Sequence, residues 1–146
     1  MNSLHELEWV GMLLARLAVG LLFAISGGGK LFVPARRQQM RDTVREAGIP
    51  VPEASALVLS SVEFVFGALL IIGFLTPLCC LMLSGVMVGA LSTTILPRIK
   101  AESVISWLRD SLYLPEVLYL VILVWLLFSG PGWLSVDHLL LSSSGR

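Results

Sequence analysis

Three ionisable residues stand inside otherwise apolar stretches of this 146-residue chain: Arg16, Glu63 and Glu116. Each would cost at least about 2.5–3.5 kcal/mol at the centre of a bilayer, so each is expected to face a protein interior and find a partner there. One arginine cannot fully compensate two carboxylates. One glutamate is therefore expected to hold a proton at neutral pH, through desolvation and like-charge repulsion. A protonatable carboxyl beside a fixed cation suits quinone, quinol or proton handling. The same residues would serve equally as a structural clamp that registers the helices. Counting helical rise from Lys30 puts Arg16 about 21 Å from the end of its stretch, and counting from Pro52 puts Glu63 about 16 Å from the same side. One turn separates them, so Arg16–Glu63 is the expected pair and Glu116 a third member of the cluster.

Other chemistries lack their residues. His5 and His138 both lie outside the apolar stretches, so no histidine pair is placed to ligate haem. No Cys/His cluster has metal-binding spacing, and no metal site is expected. Gly27-Gly28-Gly29-Lys30 lacks the spacing of a phosphate loop. Cys79 and Cys80 are adjacent and form no CxxC motif, which reads as two buried small apolar residues. No cofactor is expected to be bound covalently or through protein ligands. An electron carrier would have to be a diffusible ligand, such as a quinone, or part of a partner subunit.

The elements that must position these residues follow from composition. Apolar residues make up 56% of the chain and charged residues 14%, against about 25% charge in soluble domains. That excludes a disordered tail and a water-soluble fold of this size. Lys+Arg and Asp+Glu both number 10, so no basic excess points to nucleic acid. A membrane helix needs about 20 apolar residues. Trp9 to Gly29 is apolar apart from Arg16, and Ser111 to Phe128 apart from Glu116. Ala54 to Pro97 is about twice one span, interrupted only by Glu63 and by the breaker Gly73-Phe74-Leu75-Thr76-Pro77. The reading is a single all-α domain over residues 1–146, an integral membrane four-helix bundle with spans near 9–32, 53–74, 77–97 and 112–129. The flank MNSLHELEW carries no Lys or Arg, so the first span is read as a retained helix and not a signal peptide.

Eight of the ten basic residues fall in the first and third loops. By the positive-inside rule those loops are cytoplasmic and both termini face the outer, periplasmic side. In the first loop Pro34 can open a helix and Gly48 can close it. Arg37, Arg41 and Arg45 recur at i, i+4 and i+8, beside a stripe of Met40, Val44 and Ala47. This predicts a short amphipathic helix near 35–47 lying on the inner leaflet, its arginines on lipid phosphates. Small residues mark packing faces: Gly20, Ala24 and Gly27 in the first span, Gly67 in the second, and a GxxxG of Gly85 and Gly89 in the third. After Gly130-Pro131-Gly132, Ser135 and Asp137 read as caps of a short turn at the outer surface.

Taken in order, these features resemble a known family. The first span reads ARLAVGLLFAISGGGKLF; AGIPVPEA leads into SSVEFVFGALLIIGFLTP; the fourth begins with a glutamate and ends in SGPGWLSVD. The succession of Arg16, Lys30, Gly48-Ile49-Pro50, Glu63, Gly67, Gly73, Gly130-Pro131-Gly132, Ser135 and Asp137 resembles the DoxX family of small four-helix bacterial membrane proteins over nearly the whole chain. The resemblance implies a four-helix bundle in the bacterial inner membrane, with Arg16, Glu63, Glu116 and Asp137 at its polar positions. The family is named after a protein linked to a terminal quinol oxidase and thiosulfate:quinone oxidoreductase system. Other members look like accessory parts of membrane oxidoreductase assemblies.

Three functions stay open on this reading. An accessory subunit of a quinone-linked membrane oxidoreductase or respiratory assembly ranks first, since no cofactor ligands stand in the chain. A component that itself binds quinone or lipid for redox work is compatible with it. A small-solute transporter ranks last, because no broken helix or inverted repeat is evident. Expected partners are the lipid bilayer, membrane or peripheral proteins, and a second copy of the chain; nucleic acid is not among them.

Overall fold

The computed structural model describes residues 8–99, 103–130, 132 and 135–137. His5, His138, Pro131 and the C-terminal end lie outside the described residues. Among these residues there are six α-helices: α1 Glu8–Phe32, α2 Pro34–Glu46, α3 Pro52–Ile72, α4 Thr76–Ala90, α5 Val104–Leu112 and α6 Pro115–Ser129. α4 runs on through a π-helical turn, Leu91–Ile95, and a 3-10 turn, Leu96–Arg98. Proline sits in the first two positions of α2, α3, α4 and α6, where its missing N–H costs no intrahelical bond. α5 instead starts on a capping box, in which Ser103 and Ser106 bond reciprocally.

α1, α3, α4 and α6 form a ring of four: α1 packs on α3, α3 on α4, α4 on α6, and α6 returns to α1. Their common core holds Val19, Phe23, Leu70, Leu83, Leu123 and Leu126. Cys79 and Cys80 are free thiols fully buried in the same core. The outside of the ring is apolar, with Leu14, Ile25, Val58, Leu81 and Phe128 all exposed. A large apolar exterior of this kind marks contact with a non-aqueous phase. Glu8–Phe32, Pro52–Ile72 and Thr76–Ile95 are long and apolar enough to cross a bilayer, and the chain is a multi-pass membrane protein.

The fourth span differs from its expected bounds of 112–129. Leu114 precedes a proline and is extended, so the chain breaks there. Leu112 belongs to α5, and α6 has only 15 residues, about 22 Å against a hydrocarbon core of about 30 Å. α5 occupies the third loop, for which the sequence reading expected no helix. Its signal was present: Val104, Ile105, Leu108 and Leu112 share one exposed helical face behind the Ser103 cap.

The closest contact in the bundle is between α1 and α3. A Cβ on Gly27 would lie 2.4 Å from the Phe64 nitrogen, and one on Gly67 would lie 2.6 Å from the Ala24 nitrogen. The two backbones therefore touch at these positions, as the small-residue faces predict. The GxxxG of α4 does something else. A Cβ on Gly85 or on Gly89 would meet nothing within 4 Å. Among the described residues, this pair packs on no helix.

α2 forms where the short helix near 35–47 was expected. Its apolar stripe turns to the protein: Val44 is buried, and α2 packs on both α1 and α3. A stripe this narrow is satisfied by the bundle itself. Arg37 donates to the Leu31 carbonyl near the C-terminus of α1, and Arg41 lies 3.6 Å from Glu53. Arg45 is exposed.

Candidate functional site

Glu63 has a partner, and it is not Arg16. Lys30, in the last turn of α1, donates from Nζ to both Glu63 carboxylate oxygens at 2.8 and 2.6 Å. Ser26 adds a third bond at 3.3 Å. Glu63 is 3% exposed. A carboxylate so removed from solvent needs this charge-assisted pairing.

The expected Arg16–Glu63–Glu116 cluster is therefore corrected in one member: Arg16 stands apart from Glu63, while Glu63 and Glu116 line one cavity. The cause is helix register. Gly20 lies against Gly67 and Ile71, and Gly27 against Ser60 and Phe64. One more turn along puts Arg16 level with Gly73, roughly 15 Å from Glu63 along the axis. Counting from Lys30 and Pro52 assumed that both stand at one height. The backbone contacts offset them instead, and Lys30 rather than Arg16 comes opposite Glu63. The sequence did carry a signal for this, because Arg16, Gly20, Phe23, Gly27 and Lys30 form one continuous helical face at spacings of four and three.

Lys30 and Glu63 line a cavity of about 960 Å³. Its apolar walls include Leu22, Phe23, Met82, Val86 and Met87; Gly85 and Gly89 form a flat strip of wall. α2 closes one side with Arg36, Gln39, Met40 and Thr43, and α6 contributes Glu116 and Tyr119. Thr93 and Thr94 reach the cavity from the π-helical turn, a distortion that recurs beside functional sites. Glu116 thus shares a cavity with Glu63. Among the described residues, no group of three or more His, Cys, Asp or Glu side chains is placed to hold a metal ion.

A second polar centre stands at the opposite end. The Arg16 side chain is buried against Gly73 and Ser135, and the Asp137 carboxylate is within its electrostatic reach. Asp137 Oδ1 accepts from the Leu75 N–H at 2.7 Å, and Oδ2 from the Thr76 N–H at 2.8 Å. The Asp137 N–H donates to the Gly73 carbonyl at 3.1 Å. Asp137 thus caps α4, an element sixty residues away in sequence, rather than its own local turn. Ser135 bonds the Gly132 carbonyl at 2.7 Å. Both Gly73 and Leu75 in the capped turn have positive φ (69° and 51°), which is free for the glycine and costly for the leucine. Asp137→Ala removes both cap bonds and is expected to destabilise the protein by about 1–2 kcal/mol. The melting temperature in detergent checks this; Asp137→Asn should recover only part of the loss, since the amide retains an acceptor but not the charge facing Arg16.

The fold and this geometry define a class: a small multi-pass helical membrane protein with a largely apolar, half-open cavity and a partly buried ion pair in its wall. A family model described as DoxX matches residues 11–95, and the chain belongs to the DoxX family. No curated protein and no solved structure matches the chain.

Proposed function

We propose that this DoxX-family protein binds a quinone in its cavity and acts as an accessory subunit of a membrane-bound, quinone-linked oxidoreductase. The cavity carries the reading. Its volume of about 960 Å³ lies at the upper end of the usual range for small-molecule sites, about 300–1,000 Å³. Apolar walls with a few convergent polar groups suit a ring with carbonyl or hydroxyl substituents and an apolar tail. The flat face at Gly85 and Gly89 accepts such a ring without steric conflict. Both histidines stand outside the apolar stretches of the sequence, and the two cysteines are adjacent core residues, so the electron acceptor or donor beyond the quinone is assigned to a partner. Lys30, Arg36, Arg37, Arg41 and Arg45 all lie at the α1–α2–α3 end. By the positive-inside rule that end is cytoplasmic, both termini are periplasmic, and the membrane is the bacterial inner membrane.

Purification in mild detergent, with mass spectrometry of lipid and protein together, tests the proposal. Quinone at near-stoichiometric amount and a co-purifying oxidoreductase are expected. Gly85→Leu places its side chain in open cavity space, so it should leave the melting temperature unchanged while lowering bound quinone at least tenfold. Wild-type protein carrying neither quinone nor an oxidoreductase would overturn the reading.

A further inference from the structure

We infer that the cleft between the end of α1, α2 and the start of α3 binds an anionic phospholipid, its phosphate diester held by Arg37 and Arg41 and an acyl chain laid along Leu57 on the outer face of α3. The inference is independent of the quinone reading and concerns a second cavity.

This cavity has a volume of about 400 Å³ and shares only Lys30 and Met40 with the first. Three cationic side chains border it, Lys30, Arg37 and Arg41, against one carboxylate, Glu53. Glu63 already matches the Lys30 charge. The balance is one net positive charge, which one phosphate diester neutralises. Neither arginine is fully engaged. Arg37 donates from one nitrogen to the Leu31 carbonyl, and a guanidinium carries five N–H donors. Arg41 stands 3.6 Å from Glu53, longer than a hydrogen bond, and the Glu53 side chain is 72% exposed. Such a surface pair contributes little, so Arg41 is free to turn to a stronger acceptor. Arg37 and Arg41 lie one turn apart on α2, and paired guanidinium forks match phosphate oxygens. The start of α3 strengthens the field. No side chain caps it among the described residues, and its leading N–H groups at Glu53 and Ala54 stand in the cavity wall.

The rest of the wall distinguishes a lipid from a soluble anion. Leu31, Met40, Ala54 and Leu57 make it apolar. Leu57 and its neighbour Val58 are 54% and 60% exposed, on a helix long and apolar enough to cross a bilayer. They lead from the arginines onto the apolar outside of the ring. A free phosphate gains nothing from these residues, whereas an acyl chain covers them. The depth agrees as well. The cations stand beside the last turn of α1 and the first turns of α3, at helix ends, where a bilayer places its phosphates. Basic clefts between membrane helices suit anionic headgroups for this reason. A zwitterionic lipid brings its own cation into the same positive field and is disfavoured. Arg45 is exposed on the same helix and lies outside the cavity wall, so it serves as a control of equal charge.

The test is native mass spectrometry of the full chain in detergent, titrated with dioleoylphosphatidylglycerol or with dioleoylphosphatidylcholine. Wild-type protein is expected to bind phosphatidylglycerol at least about tenfold more tightly. Arg41→Gln should lower phosphatidylglycerol affinity about fivefold. Glu53→Gln, which removes the competing carboxylate, should raise it about threefold. Arg45→Gln should leave it unchanged, and millimolar glycerol phosphate should not displace the bound lipid. Equal wild-type affinity for the two lipids overturns the inference. So does unchanged affinity in Arg41→Gln, or a loss in Arg45→Gln as large as in Arg41→Gln, which marks diffuse surface attraction. Displacement by glycerol phosphate overturns the lipid in favour of a soluble phosphate. Thermal melts of each variant separate lost binding from lost fold, and the wild-type ratio tests the preference even if a variant fails to assemble. Each of these outcomes leaves the quinone reading untouched.

Discussion

Gly27→Val and Gly67→Val are each expected to destabilise the bundle by about 3 kcal/mol or more, enough to abolish folded yield in a marginal membrane protein. Gly85→Ala and Gly89→Ala are expected to be neutral, or stabilising by up to about 1 kcal/mol each. The residue type is the same and the environments are opposite. A Cβ on Gly27 would stand 2.4 Å from the Phe64 nitrogen and 2.8 Å from the Ser60 carbonyl oxygen. These are backbone atoms in the middle of a membrane helix and cannot swing aside, so α1 and α3 would have to separate along their whole contact. That contact also brings Lys30 to Glu63, and separation would leave both charges unpaired. At Gly85 and Gly89 a methyl group enters open cavity. Circular dichroism melts in one detergent, run side by side for the four variants, check the sign and the size. Equal destabilisation by all four would mean that α4 packs its glycines on something the monomer does not contain, such as a second copy.

The second large effect concerns the partly buried ion pair. Lys30→Met is expected to cost about 3–5 kcal/mol, because it leaves the Glu63 carboxylate buried without its partner, and Glu63→Leu less, because the partly exposed Lys30 ammonium can still meet water. The double variant Lys30→Met/Glu63→Leu should recover most of that loss, since apolar replacement of a whole buried pair is often near neutral. A double-mutant cycle on unfolding free energies measures the coupling directly. The same proteins separate a clamp from a site. If the double variant regains stability but carries no quinone, the pair serves the ligand. If it regains stability and binds quinone as the wild type does, the pair only registers α1 against α3.

Much of the fold was legible residue by residue. Arg16 and Glu63 announced themselves as buried because water and lipid price a charge so differently, and both are indeed among the most buried residues. Gly73-Phe74-Leu75-Thr76-Pro77 had to turn the chain, and it does. Gly20, Gly27 and Gly67 had to bring helices together, and they do. α5 was missed because a nine-residue amphipathic helix falls below the length at which an apolar stretch stands out. The pairing of charges was missed for a different reason. A shift of one or two turns between α1 and α3 changes no composition and no periodicity, yet it replaces Arg16 by Lys30 as the partner of Glu63. Asp137 as the cap of α4 was out of reach as well, since an N-cap is ordinarily local and this one crosses the bundle.

What the amino-acid sequence determines by itself is everything the bilayer decides one segment at a time: which stretches leave water, where prolines start helices and where glycine lets the chain turn. Those preferences are local transfer and backbone energies, and they add along the chain. What only the tertiary structure decides is which side chains meet. Lys30 reaches Glu63, Arg16 faces Asp137, and Gly85 and Gly89 border empty space because the backbone contacts at Gly27 and Gly67 admit one register of α1 on α3. A cavity is the space left once that register is taken, so no residue pattern along the chain specifies it.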